Sequence, residues 1–422
     1  MSELSHGILL QEQGKMEEAE ACFRSVLAQE PENDFAYNRL ALCLLDQEGK
    51  KTLALDSIGE AIRIQPEYSF HHAIKSLILA SLRRGKEGLE ASEVAIALDP
   101  EDSFSLATKA NAYCAMDRWA EGEKWSRRAL AADSDNSMAA NLLTHTLRMQ
   151  GKSDLNAIAV DQMLAANPES DIAHINAGWT ALRRGDHRKA EEHFREALRL
   201  DPDCDHAREG LVESFRARSP LYRAYLSYCF FMQRFTGGKQ WMIIIGIYLV
   251  YRFASKALQK VSPLLAGGLT FLWLALVMWV WLAPGIGNLL ILLDRNARLA
   301  LRSSERAQGI AIGGGLILGL IAIGVGFGFD SSPAILGGFG LLISTVPASL
   351  SFDNESVPGR IVFGSITAYI YLATIVIVVL EMMNQGKELH AAVMPLGTIG
   401  VLATVICTWL GNVPALRRKK EI

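Results

Sequence analysis

The 422-residue chain is 50% hydrophobic and 21% charged, with a mean hydropathy of +0.17, too apolar for a disordered chain and high for an ordinary soluble enzyme. Its net charge of −3 joins two unlike halves, residues 1–219 carrying −11 and residues 220–422 carrying +8. An acidic, periodic half before a basic, apolar half reads as a soluble domain joined to a membrane domain. Nucleic acid is not an expected partner, because the soluble half has no basic excess to neutralise phosphates.

The first residues, Met1 to His6, contain neither a basic n-region nor an apolar core, so no cleavable export signal is expected. Six cysteines (Cys22, Cys43, Cys114, Cys204, Cys229, Cys407) lie far apart with no C-x-x-C pair. That spacing predicts buried free thiols in a reducing compartment, not a disulfide framework or a zinc site.

From the amino terminus the chain repeats. Prolines fall at Pro31, Pro66, Pro100, Pro168 and Pro202, with Ser134 in the remaining place, at intervals of 35, 34, 34, 34 and 34 residues. An aliphatic residue stands four positions before each mark: Leu27, Ile62, Ile96, Leu130, Leu164 and Leu198. Small residues lie further upstream at Ala19, Ala54, Gly88, Gly122 and Ala190, with Asn156 the exception, and Gly14, Gly49, Gly151 and Gly185 mark internal turns. Each unit therefore predicts two helices joined by a glycine-containing turn, closed by proline, with small residues where the helices cross.

This period and these residue types resemble the tetratricopeptide repeat family, most fully in the sixth unit through Gly178, Ala190, Phe194, Ala197 and Asp201-Pro202. The resemblance implies an α-solenoid of about six helix pairs over residues 1–219, whose first helices line a peptide-binding concave surface. Residues 205–218 have the composition of one more helix, placed to cap the last apolar face, so residues 1–219 are expected to fold alone as a soluble superhelix.

Beyond Ser219 the character changes. Residues 221–235 combine Tyr222, Tyr225, Tyr228, Phe230, Phe231 and Phe235 with Arg223 and Arg234, a composition suited to the headgroup layer, and an interfacial linker helix is placed at 220–239. Charge-free stretches place spans at 264–283, 309–329, 333–350, 361–380 and 391–411 within a membrane domain over 240–416. Residues 241–258 have a charge-free core of only 12 residues, and either cross with Arg252 and Lys256 snorkelling or lie re-entrant. Pro284-Gly285-Ile286-Gly287 is expected to break the second hydrophobic run, leaving 288–301 as another interfacial helix. The fold class is all-α, a repeat solenoid followed by a transmembrane bundle of about six spans.

Basic residues orient the bundle. Six spans put Arg295, Arg298, Arg302, Arg306, Arg360, Arg417, Arg418, Lys419 and Lys420 on the side of the repeats, against Arg252, Lys256, Lys260 and Lys387 opposite. The repeats and the basic tail at 417–422 are thus expected in the cytoplasm, and a bacterial inner membrane is the expected location.

No ionisable side chain lies inside the spans from 264 onward, and H-E-x-x-H, G-x-x-x-x-G-K-[ST] and G-x-S-x-G are absent. No catalytic residue, metal or cofactor is predicted. His71-His72 are expected to face solvent or the groove. Gly309, Gly313, Gly315, Gly319, Gly324 and Gly328 offer small faces for close helix packing within the chain, or for a homo-oligomeric seam. Helical spacing turns Arg39, Cys43, Phe70, Leu77, Phe104 and Ile175 toward the groove. The partner site itself is placed at Asn111, Asn141, His145, Arg148, Trp179 and Arg183, which combine amides, cations and a tryptophan. The resulting reading is a membrane-anchored scaffold that binds a protein or peptide. The alternative is a transporter or channel regulated by its repeats.

Overall fold

The computed structural model describes residues 2–235, 239–352, 354, 356–384, 391–411 and 416; these residues form helices, with no strand among them. The basic tail at 417–422 and Lys387 lie outside the described residues. Two units emerge, Met1–Thr180 with Gln233–Thr236, and Ala181–Met232 with Gly237–Ile422.

The first unit holds five helix pairs: α1 (Glu3–Glu12) and α2 (Met16–Gln29), α3 (Asp34–Leu45) and α4 (Lys51–Ile64), α5 (Ser69–Ser81) and α6 (Gly85–Leu98), α7 (Ser103–Ala115) and α8 (Trp119–Ala132), and α9 (Ser137–Met149) and α10 (Ser153–Ala166). Most of α11 (Asp171–Arg183) follows. Most first helices begin at side-chain caps, whereas α5 has none. Asn33, Asp102, Asn136 and Ser170 accept from the backbone N–H of Ala36, Ser105, Ala139 and Ala173. The internal turns enter the left-handed region at Gly14, Gly49, Gly151 and Gly185, with φ of 74°, 78°, 73° and 81°. Arg83 and Asp117, both at φ 60°, hold the same place in the units without glycine.

The small residues stand where helices meet. A Cβ on Gly88 would lie 3.1 Å from the Ser76 carbonyl oxygen, and one on Gly122 only 3.0 Å from Cys114 and Thr146. Asn156 is buried in the same place and donates to Thr180 Oγ1 at 2.9 Å. Neighbouring units are also clasped by a recurring carboxylate. Glu20 meets Arg24, Gln47 and Lys50, and Glu123 meets Arg127, Gln150 and Lys152, each at 2.7–3.0 Å.

Two expectations fail here. His71 is buried instead of facing solvent or groove: Asn38 Nδ2 reaches its Nδ1 and Asp34 Oδ2 its Nε2, both at 3.0 Å. Cys43 is also buried, its thiol donating to the Met16 carbonyl at 3.1 Å, because its side of α3 packs into the core.

The second unit carries α12 (His187–Leu200), α13 (Asp205–Arg216), α14 (Pro220–Met232), α15 (Lys239–Val261), α16 (Pro263–Leu292), the 3-10 turn η1 (Ala297–Ala300), α17 (Ser303–Gly328), α18 (Ser332–Phe352), α19 (Val357–Met383) and α20 (Val393–Leu410). The unit begins at Ala181, and within it α13 packs on α16 and η1 as well as on α12. The helices α15 to α20 are six segments long and apolar enough, by length and composition, to cross a bilayer.

The expected break at Pro284 does not occur. α16 runs through it to Leu292 and takes in the first five residues of the expected interfacial stretch 288–301; beyond Leu292 only Ala297–Ala300 of that stretch is helical, as a 3-10 turn. Proline removes one hydrogen bond, and packing on both sides maintains the helix around it. Ala283, Gly285 and Gly287 are buried, a Cβ on Gly285 would collide with Ile312, and the Ser349 hydroxyl donates to the nearby Trp281 carbonyl at 3.0 Å. Leu282, Ile312, Val346, Leu350, Phe363 and Cys407 fill the interior of the bundle.

The glycines of α17 divide between two sides. Cβ atoms on Gly309, Gly313, Gly315 and Gly319 would stand 2.5–3.0 Å from residues of α16 or α18. Gly324 and Gly328 have nothing within 4 Å; Gly326 meets Ile335 instead. Near its carboxyl end α17 turns a different row of glycines to α18 than the 324/328 spacing selects.

Candidate functional site

The candidate surface is built by first helices. In the first unit α1, α3, α5 and α7 each touch the next first helix along the row, besides their own partner, and α9 is bonded to α11. A continuous strip of first-helix residues results, and Phe70 and Phe104 meet across two units at 5.1 Å between ring centroids.

Further along, the side chains become polar. Asn111 on α7 is half-buried. Asn141 on α9 accepts a hydrogen bond from Asn176 of α11 at 2.7 Å, so two amides, one from each of two units, form a bridge. Sequence reading identified Asn141 and missed Asn176; their 35-residue interval was the available signal. Each paired amide retains polar atoms with which to meet an extended backbone.

Arg148 lies one turn from His145, and its guanidinium donates to His145 Nδ1 at 2.8 Å. An arginine can only donate, so Nδ1 is unprotonated and the imidazole is held as its Nε2–H tautomer. Trp119 places its ring edge-on to His145 at 5.4 Å, an aromatic neighbour that the sequence reading did not select. Burial pushes the Arg148 pKa below the ordinary arginine value. Among the described residues no carboxylate stands within ion-pair distance of it, whereas Arg24, Arg63, Arg84, Arg118 and Arg127 all have one. A partly desolvated cation beside a neutral imidazole favours an incoming anion.

Trp179 is half-buried on α11, within the first unit. Arg183 falls in the second unit, where its guanidinium lies 4.2 Å over the Phe230 ring. The six residues of the expected site are therefore divided, five in one unit and one in the other. Arg39, also on a first helix, stacks on exposed Phe35 at 5.1 Å.

Profiles of the tetratricopeptide repeat match residues 4–69 and 172–204. No curated protein matches the chain. Among solved structures, PilW, described as a widely conserved type IV pilus biogenesis factor, is 17% identical at a TM-score of 0.41, covering 50% of this chain and 96% of that one. PilF of Pseudomonas aeruginosa is 17% identical at a TM-score of 0.37, over 49% of this chain and 94% of that one. YrrB, described as a tetratricopeptide protein with an unusual peptide-binding site, is 18% identical at a TM-score of 0.30, over 44% and 95%.

Proposed function

We propose that this tetratricopeptide-bearing chain is a membrane-embedded scaffold whose array recruits a protein segment on its first-helix face. The observation that carries the reading is the strip from Asn111 to Trp179, where bridged amides, an arginine without a carboxylate and a tryptophan follow one another on adjacent first helices. Amides suit any extended backbone, Arg148 suits an acidic side chain, and Trp179 supplies apolar area. The net charge of −11 on residues 1–219 opposes long-range attraction of strongly acidic ligands, so the partner is a mixed segment with local acidic groups and a large apolar anchor.

In the proposed arrangement the array is cytoplasmic and six helices lie in the inner membrane of a bacterium. The loop between α16 and α17 supports that orientation. It carries Arg295, Arg298 and Arg302, and its Asp294 and Arg302 pair with Arg218 and Asp205 at the end of the repeats. The rival transporter or channel requires a polar path, and the apolar filling around Ile312, Val346 and Phe363 disfavours it.

The test uses the full chain in detergent as bait. Trp179→Ala combined with Arg148→Ala should abolish partner capture while leaving helicity and melting nearly unchanged. Undiminished capture by the double variant would place the bound surface elsewhere.

A further inference from the structure

The last repeat helix ends in an arginine whose side chain is only 11% exposed. Arg216 of α13 donates from Nε and NH2 to Asn288 Oδ1 of α16 at 3.0 and 2.7 Å. Its NH1 donates to Glu213 Oε1 at 2.5 Å, and Glu305 of α17 lies 3.9 Å away. The Tyr222 hydroxyl of α14 donates to the second Glu213 oxygen at 2.9 Å. Burial opposes the charge on Arg216, but the carboxylates of Glu213 and Glu305 outweigh it and hold its pKa above the ordinary arginine value.

Asn288 extends this arrangement into the bundle. Its Nδ2 donates to Gln308 Oε1 of α17 at 2.8 Å, Gln308 Nε2 donates to Ser349 Oγ of α18 at 3.3 Å, and the Ser349 hydroxyl reaches the Trp281 carbonyl of α16 at 3.0 Å. All three side chains are buried among apolar helices, where an unmatched polar group is costly. In a solute path such groups would face a cavity; here each is bonded to the next. Ion pairs surround the chain of bonds: Arg208 with Glu305, Arg302 with Asp205, and Arg218 with both Glu191 and Asp294. Glu191 occupies the clasp position of Glu20 and Glu123, so Arg218 extends the inter-repeat clasp to the α16–α17 loop.

We propose that α13 and the adjoining ends of α16, α17 and α18 form one cooperative joint keyed by Arg216, so that the last repeat helix and three membrane helices loosen together. The helix expected to cap the last apolar face packs on α12 and, in addition, on α16 and η1. This holds whether or not the array binds the partner proposed above.

Amide hydrogen exchange on the full chain in detergent tests the joint. Ser349→Ala deletes one hydroxyl on α18 and touches nothing on α13. It should still speed exchange in residues 205–216 and 303–312 about fivefold, the scale of one lost hydrogen bond. Thr398→Ala, which removes a hydroxyl bonded within its own helix α20, should leave residues 205–216 unchanged. Arg216→Met should speed exchange in α13, α17 and α18 together. The joint is refuted if Ser349→Ala leaves α13 at the wild-type rate, or if the effect of Arg216→Met stays within α13. Should Arg216→Met not fold, Ser349→Ala decides alone.

Discussion

At the scale of single residues, the repeat tolerates exceptions that glycine would remove. Arg83 and Asp117 sit in the left-handed region where four other units have glycine. A side chain there is disfavoured by about 1 kcal/mol, less for aspartate than for arginine. Asp117→Gly and Arg83→Gly should each raise stability by about 0.5–1 kcal/mol in denaturant melts; no change in midpoint would show that local contacts already offset the strain. Gly210 is the reverse case. Its missing Cβ makes room for the Phe194 ring, and Gly210→Ala should lower stability by about 1–3 kcal/mol.

His71 gives the array a pH dependence. Burial lowers its pKa below the ordinary 6.5, although Asp34 pulls it upward. The unfolded chain therefore takes up this proton at higher pH than the folded one. The contribution is complete above about pH 6.5 and is lost as pH falls through the folded value. His71→Gln should flatten the stability profile below pH 6.5, measured by melting from pH 7.5 to 5. An unchanged slope would contradict this assignment, because the clasp carboxylates Glu20 and Glu123, held below the usual carboxylate range, lose their charge only at lower pH.

At the scale of elements, the 34-residue recurrence of proline, small residue and turn glycine made the helix pairs legible, because each is fixed by contacts within a unit or with its neighbour. What escaped depends on distant partners. His71 finds Asn38 and Asp34 in the preceding unit, and its sequence neighbours give no hint of them. Pro284 reads as a breaker locally, yet α17 and α18 support the helix through it. Of the candidate site, residue types and spacing found the polar strip on the first helices, but not the Asn141–Asn176 bridge or the approach of Trp119 to His145. Nor did spacing tell which α17 glycines meet a neighbour. Gly319→Leu should disrupt the α17–α18 contact and lower melting in detergent, whereas Gly324→Leu should stay within about 0.5 kcal/mol of wild type. Equal sensitivity at both positions would mean that the second face is also covered, as in a homo-oligomer.

At the scale of the whole molecule, the last repeat helix, α13, belongs to the same unit as the six apolar helices. Arg216 and Glu213, both half-buried, are bonded to or face groups contributed by α14, α16 and α17. A fragment of residues 1–219 should keep its helical repeats but lose protection in α13, which exchange on the fragment and the full chain would compare. Topology follows from the loop arginines: reporters placed after Arg306 and at the carboxyl terminus should label as cytoplasmic, and one near Ser331 should not. Opposite labelling of the first two would favour five spans.

The central claim is that the first-helix strip holds a protein segment while the chain sits in its membrane. Site-specific photo-crosslinking in intact membranes tests it most directly, with the probe at Asn111 or Trp179 and, for comparison, at exposed Glu90 or Lys124 on second helices. The account predicts one discrete cross-linked partner from Asn111 and Trp179, lost in the Arg148→Ala background, and none from Glu90 or Lys124. A partner captured from Glu90 or Lys124 but not from Asn111 or Trp179 would contradict it.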